Sequence, residues 1–561
     1  MKYKMNHMTR GLLLLFTLTW ILFFCYEIDV MGDSIVDTKH NLSVSGTGER
    51  YRATSEERVC IFCHTPHHAS PITPLWSHDV SGSVYDLYAS TTMKAQPGQP
   101  TGASRLCLSC HDGTIALGML YGTSEPIAGL ETTLLPGPSN LQTDLSDDHP
   151  VSFSYDAALA SENGELRDPA TLPPAIKLEE GHLLQCTACH NPHKNPYGKF
   201  QVMDNHGSAL CIACHNKTGW SLSSHASSPV TSEEGCLICH MSHGAGGLIW
   251  LLKEQIEEEN CLPCHSAEGA GPDVRSGFNK FYHHPVEATA GVHDPLENPL
   301  TATYHVECTD CHNSHRVNSN EASAPLVNGR LAGVGGVNIS GDAVEEAGYE
   351  YEICLRCHAD NSFVSTSAIP RFIEEVNKRL DFDLANPSYH PVAGIGKGID
   401  VPSLRPEYTV SSMMYCTDCH GSDDGAKTGG AATDGPHGSI YPHLLIAQYE
   451  QDQYPLFYSE SNYALCFLCH DPGILLSQSS PFHSHRSHVV GHKVACSICH
   501  DPHGIPVELG GTTSGNAHLI NFDARFVSEG GYYDSYEKSC SVSCHTTNPK
   551  SYAQGPFGEE P

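Results

Sequence analysis

Eleven times the chain sets two cysteines three positions apart and follows the second directly with a histidine. The triplets are Cys60–Cys63–His64, Cys107–Cys110–His111, Cys186–Cys189–His190, Cys211–Cys214–His215, Cys236–Cys239–His240 and Cys261–Cys264–His265. They continue with Cys308–Cys311–His312, Cys354–Cys357–His358, Cys416–Cys419–His420, Cys466–Cys469–His470 and Cys496–Cys499–His500. A twelfth is stretched by one residue, Cys540–Cys544–His545, and of the 25 cysteines only Cys25 is left over. Disulfides or structural zinc use paired cysteines, but neither needs the adjacent histidine. Covalent haem needs all three, because two thiols add to the porphyrin vinyl groups and the imidazole binds the iron. Histidine is 37 of 561 residues, too few for twelve such neighbours by chance. The motifs therefore imply twelve covalently bound haem c groups.

Each iron needs a second axial ligand. From residue 33 onwards the methionines are Met93, Met119, Met203, Met241, Met413 and Met414, too few for twelve irons. Bis-histidine ligation follows, and with it a ladder of low potentials, since methionine is the ligand that raises potential. A histidine three residues past the motif recurs as His67, His193, His243, His315 and His503. The motif histidine is tied to one face of its own haem, so a side chain three positions on reaches a neighbouring haem. After Cys416 a Gly-rich insert intervenes, and His437 in "GPHGS" takes the same role. A second set precedes the motif pairs: His40, His149, His225, His284, His390 and His488. Several stand before proline, which holds the backbone extended and presents one imidazole from a loop. Six leading and six trailing histidines match twelve irons. The spare histidines bond propionates or backbone or are solvated, with His182, His305 and His492 as the nearest rivals for ligand roles.

The elements that carry these ligands are short. Glycine and proline number 50 and 36, and apolar residues are 39% of the chain. Porphyrin must supply the missing apolar mass, so the predicted fold is mostly irregular coil with short helices and few short strands, wrapped around a chain of haems. Only a few windows, such as Trp250–Asn260 and Arg371–Phe382, read as helical. The segment Leu326–Asp342 reads as a surface loop or as a hairpin that packs on a neighbouring subunit. Pairing the motifs gives six haem modules, at 33–140, 141–220, 221–275, 276–385, 386–480 and 481–561, after a signal peptide at 1–32. In that signal Lys2, Lys4 and Arg10 precede the apolar run from Gly11 to Phe24, which is short for a bilayer span. Lipidation at Cys25 and an uncleaved anchor are the minority readings, and membrane association stays open. Net charge is −33 with no basic stripe, which argues against nucleic acid as a partner.

"TKHNLS" (38–43), "CLSCHDGT" (107–114), "CTDCHG…GPHGS" and the C-terminal "SHVV…CSICHDPHG…AHLINFD" with "CSVSCH" resemble the doubled-CxxCH multihaem cytochromes exported by metal-reducing bacteria. The resemblance implies bis-histidine c-type haems in a continuous file and long-range electron transfer rather than catalysis. It implies an extracellular or outer-membrane site, alternatively a periplasmic one. The partners it implies are other redox proteins or extracellular metal acceptors, and in some members further copies of the chain in a filament. The competing function is a reductase of a small oxyanion or nitrogen compound, which requires one open iron position.

Overall fold

The computed structural model describes residues 34–542, apart from 68, 71–74, 248, 289–292, 362, 364–366, 368, 400, 452–455, 481 and 529. The expected signal peptide, Cys25, Cys544 and His545 lie outside the described residues. As expected, the chain is mostly coil with short helices and two-stranded ribbons. Among the described residues no helix is long and apolar enough to cross a membrane. The described residues fall into two compact units, one drawn from Met1–Lys217 and Glu233–Lys253, the other from Thr218–Ser232 and Glu254–Pro561. These units do not follow the six-module division, and 221–275 is shared between them.

The local fold of each motif follows from its spacing. In the first motif of every pair the chain makes a single 3-10 turn, at Val59–Phe62, Cys186–Ala188, Gly235–Ile238, Cys308–Asp310, Cys416–Asp418 and Cys496–Ile498. Five second motifs instead begin within or at the end of short α-helices: α1 (Gly102–His111), α2 (Ala209–Ile212), α3 (Glu257–Cys261), α4 (Glu350–Cys354) and α5 (Ala464–Phe467). In both kinds the histidine N–H closes the turn on the carbonyl of the first cysteine, for example His64 to Cys60 at 2.8 Å and His358 to Cys354 at 3.0 Å. Residues three and four apart share a helical face, so both sulfurs and the imidazole emerge together. Cys540 of the stretched motif sits on a strand, Ser539–Ser541, paired with Tyr532–Asp534.

Polar side chains pin the second-motif helices α1 to α4 onto the next first-motif turns. Ser104 of α1 accepts the Cys186 amide at 3.1 Å, and Ser208, just before α2, accepts that of Cys236 at 2.9 Å. Glu257 of α3 accepts from the Thr309 amide and hydroxyl, both at 2.7 Å. Glu350 of α4 does the same for Thr417, at 3.1 and 2.9 Å. Both carboxylates are buried, and burial pushes their pKa values up. Charge-assisted bonds of this kind contribute about 1.5–3 kcal/mol each and offset that desolvation. The apolar core is correspondingly divided into small clusters. The largest gathers Tyr463, Phe467, Val489, Ile498, Ile520 and Phe522, and another gathers Phe153, Tyr155, Leu159, Ile176 and Leu184.

Both helical expectations are corrected. In 250–260 only Glu257–Cys261 is α-helical, because Trp250 and Leu251 turn to φ of 55° and 54°. In 371–382 only Lys378–Asp381 is helical. There the first half is drawn into the core: Arg371 donates to the carbonyls of Ser497, Asn521 and His500 at 2.6, 2.7 and 3.0 Å, and Phe372 N–H bonds Phe522. The end of the segment 326–342 opens a hairpin, as one of its two readings expected: Gly336–Val337 pairs antiparallel with Ala343–Val344, and Val337 is fully buried within the chain.

Candidate haem centres

Nine pairs of histidines face each other. His64 faces His193 with ring centroids 6.1 Å apart, His190 faces His243 at 6.1 Å, His312 faces His437 at 6.2 Å, and His420 faces His503 at 6.1 Å. His500 faces His485 at 6.2 Å. For second motifs, His111 faces His40 at 6.1 Å, His215 faces His149 at 6.2 Å, His265 faces His225 at 6.1 Å, and His358 faces His284 at 6.4 Å. Two nitrogens about 2 Å from one metal on opposite sides are about 4 Å apart, and each ring centroid lies about 1.1 Å behind its nitrogen. The expected centroid separation is therefore about 6.2 Å. The nine observed separations of 6.1–6.4 Å bracket that value and each joins a motif histidine to a second histidine, so the residues fit an iron held between two imidazoles, flanked by the two motif cysteines. His470 has His390 as an electrostatic neighbour.

The two kinds of pair differ in ring orientation. First-motif pairs are inclined by 14–36°. Second-motif pairs cross at 61–78°.

Hydrogen bonds select the tautomer that a ligand needs. The Nδ1–H of a motif histidine donates to a backbone carbonyl: His111 to Ser139 at 2.6 Å, His190 to Lys199 at 2.8 Å, His240 to Trp250 at 2.8 Å and His312 to Arg330 at 2.8 Å. His420 donates to His443 at 2.7 Å and His500 to His518 at 2.9 Å. Nε2 is thereby left bare for a metal. Four of the acceptors, Lys199, Trp250, His443 and His518, have left-handed backbone, and so do the residues that follow them, Phe200, Leu251, Leu444 and Leu519. The third residue then bridges back to the motif histidine, as His190 to Gln201, His240 to Leu252, His420 to Leu445 and His500 to Ile520. Such φ values strain a side chain with a Cβ, and their repetition marks them as imposed by the need to deliver a carbonyl. Sequence reasoning missed this element. Its trace is the recurrence of "KFQ", "WLL", "HLL" and "HLI" 9 to 23 residues past the motif histidine. It also assigns two spare histidines, since His443 and His518 serve through their carbonyls.

The facing histidines are straps that link the two centres of a pair. His40 donates Nδ1–H to the carbonyl of Pro192, directly before His193. His225 donates to Ser314 before His315, His284 to Pro436 before His437, and His390 to Pro502 before His503. Thus the leading histidine of one pair and the trailing histidine of the next pair hold each other. His243 donates instead to the buried Asp148 at 3.0 Å. Gly438 admits the His437 strap, because a Cβ there would strike the carbonyl of Gly277.

Burial lowers the imidazole pKa values and keeps the rings neutral. Burial first, and the facing imidazole second, bring His40, His215, His358, His470 and His500 down to about 4 and His437 to about 3. The second cause is His111, His149, His284, His390, His485 and His312 respectively. A neutral imidazole is the ligating form.

The attachment loops run in sequence order within each unit. In the first, Cys63 neighbours Cys110, Cys107 neighbours Cys186, Cys189 neighbours Cys214, and Cys211 neighbours Cys236. In the second, Cys261 neighbours Cys308, Cys311 neighbours Cys357, Cys354 neighbours Cys416, Cys419 neighbours Cys469, and Cys466 neighbours Cys496. Within each unit, the loops between the first and the last of these thus touch the one before through one cysteine and the one after through the other.

Some expected ligands fall elsewhere. The structure does not bring His67 to any motif histidine; it is exposed, and its carbonyl accepts the Thr65 hydroxyl at 2.6 Å. It belongs to the first pair, whereas His193, His243, His437 and His503 each face the first-motif histidine of the pair before their own. The facing partner of His500 is His485, which the sequence reading left among the spare histidines. His488 donates Nδ1–H to the Ser484 carbonyl at 2.8 Å and lies 6.4 Å from His492. His315 packs its ring edge on Trp220 at 6.1 Å.

The doubled CXXCH motif family model matches residues 179–219 and 409–474, each span holding one complete motif pair. The motifs are those of a multihaem c-type cytochrome. They indicate haem c bound through the cysteine pairs, and with it a role in electron transfer. No curated protein matches the chain.

Proposed function

We propose that the chain is an exported twelve-haem conduit that carries electrons over long distance along bis-histidine haems, in extracellular or outer-membrane transfer to metal acceptors or redox partners. Haem c supplies an iron that cycles between ferric and ferrous states. The chain's own residues do the rest. Paired imidazoles fill both axial positions, which suits electron transfer and disfavours substrate binding at iron. Carbonyl acceptors fix each ring and its tautomer. Straps such as His40 to Pro192 and cysteine contacts such as Cys107 to Cys186 hold successive centres close and in order. The observation that carries the reading is the pairing of motif and strap histidines at one metal-spanning separation. The acidic composition supports a cationic or mineral acceptor, drawn in by charge.

The test is expression with a c-type maturation system, intact mass and stopped-flow oxidation. We expect a mass increment of twelve haems and rapid oxidation of the reduced protein by soluble ferric chelates. A lower haem count, or reduced haems that ferric chelates leave reduced, overturns the proposal.

A further inference from the structure

Outside the haem centres, four side chains converge that the electron-transfer reading does not use: His293, Glu297, His305 and Asp310. Their donor atoms all lie within 4.8 Å of one another, and five of the six separations fall between 3.1 and 3.4 Å. His293 Nδ1 lies 3.3 Å from Glu297 Oε1, 3.1 Å from Asp310 Oδ1 and 3.4 Å from His305 Nε2. His305 Nε2 lies 3.2 Å from Glu297 Oε1 and 3.4 Å from Asp310 Oδ1. These separations are longer than the ~2.7–2.9 Å to which charge-assisted bonds commonly close, as donors facing a shared cation would be. A regular tetrahedron with edges of about 3.3 Å has its centre about 2.0 Å from each corner, which is the zinc–nitrogen and zinc–oxygen distance.

The surroundings prepare the donors. His305 Nδ1–H donates to the Thr303 carbonyl at 2.7 Å, which leaves Nε2 as a bare lone pair aimed at the cluster. Asp310 accepts the Glu307 amide on Oδ2 at 2.8 Å, so Oδ1 alone faces inward. Arg356 Nη2 takes second lone pairs of Glu297 Oε1 and Asp310 Oδ1, at 3.0 and 3.1 Å, from outside. His293 and Asp310 are buried, and the four side chains are 6–19% exposed.

We infer that these residues form a closed tetrahedral site for a divalent first-row cation, zinc above all, that fastens the attachment loops at Cys308 and Cys354. Two imidazoles and two carboxylates suit zinc, and four protein donors make the site structural rather than catalytic. Asp310 stands between Cys308 and Cys311, and Arg356 between Cys354 and Cys357. The ion therefore joins two haem loops through one cluster.

The test uses the tag-free, haem-loaded protein, equilibrated with zinc, dialysed, and analysed by plasma mass spectrometry and zinc-edge X-ray absorption. We expect one zinc per chain with four nitrogen or oxygen neighbours at about 2.0 Å. The double variant His293→Ala, His305→Ala should lose the zinc while haem content is unchanged. Should that variant fail to load haem, Glu297→Gln and the absorption spectrum of the wild type still decide. Absence of retained zinc, zinc kept in full by Glu297→Gln and by the double variant, or a six-coordinate or sulfur-bound spectrum overturns the inference.

Discussion

Replacing Asp148 by asparagine removes one charge beside one centre and leaves its geometry in place. The buried Asp148 Oδ1 accepts His243 Nδ1–H at 3.0 Å and the Gly244 amide at 3.2 Å, and an asparagine oxygen can accept both. His243 faces His190. Across an imidazole, with about 2.2 Å between its nitrogens and about 2 Å to the metal, the carboxylate oxygen lies about 7 Å from the iron. At an effective dielectric of about 20, a unit charge at that distance is worth about 2.4 kcal/mol. For a one-electron couple this is about 100 mV, since a tenfold change in equilibrium corresponds to about 59 mV. The carboxylate favours ferric iron, so Asp148→Asn should raise the potential of the His190–His243 centre by about 100 mV. Spectroelectrochemical titration of both proteins, compared as difference curves, measures this. The largest change should be a single one-electron component displaced upwards. Superimposable curves, or a shift downwards, refute the assignment of His243 as an axial ligand held by Asp148.

Further outcomes follow from other contacts. His485→Ala should produce a high-spin ferric signal from one haem, whereas His67→Ala should leave the ferric spectrum of the chain unchanged; electron paramagnetic resonance reads both. Arg371→Ala should destabilise by about 3–5 kcal/mol, because it leaves buried carbonyls at Ser497, Asn521 and His500 unpaired; denaturant unfolding measures it. Burial raises the Asp381 carboxyl to about 7, opposed by Lys378, from the model-peptide range near 3.8. The folded state thus binds the proton more tightly, and stability is lost as pH rises through that window. The unfolding free energy of wild type minus Asp381→Asn should fall between pH 4 and pH 7 and level off above it.

The haem attachment sites were legible because spacing alone carries them. Two cysteines and a histidine on one turn need no distant partner to be recognised, and His437 was placed by its "GPHGS" context despite the long insert. The order of the centres was not legible, since it rests on contacts such as Cys107 with Cys186 and Glu350 with Thr417 that leave no pattern in the chain. The role of His67 misled for a physical reason. His193, His243, His437 and His503 reach back to the pair before their own, and the first pair has none before it, so identical local sequence does not confer identical placement. The helical reading of Trp250–Asn260 failed because the carbonyl owed to His240 outweighs helix propensity over residues 250 and 251. His293 and His305 read as spare because a cluster whose successive members stand 4, 8 and 5 residues apart follows no short motif.

Central to the account is that motif and strap histidines share one iron in two geometries, near-parallel for first motifs and crossed for second motifs. Electron paramagnetic resonance of the fully oxidised, haem-counted protein tests this most directly, because ring orientation sets the splitting of the ferric d orbitals. Two families of low-spin signals of comparable intensity, one rhombic and one with a single large g value, are the expected result. A spectrum dominated by high-spin iron, or by one uniform low-spin species, would contradict it.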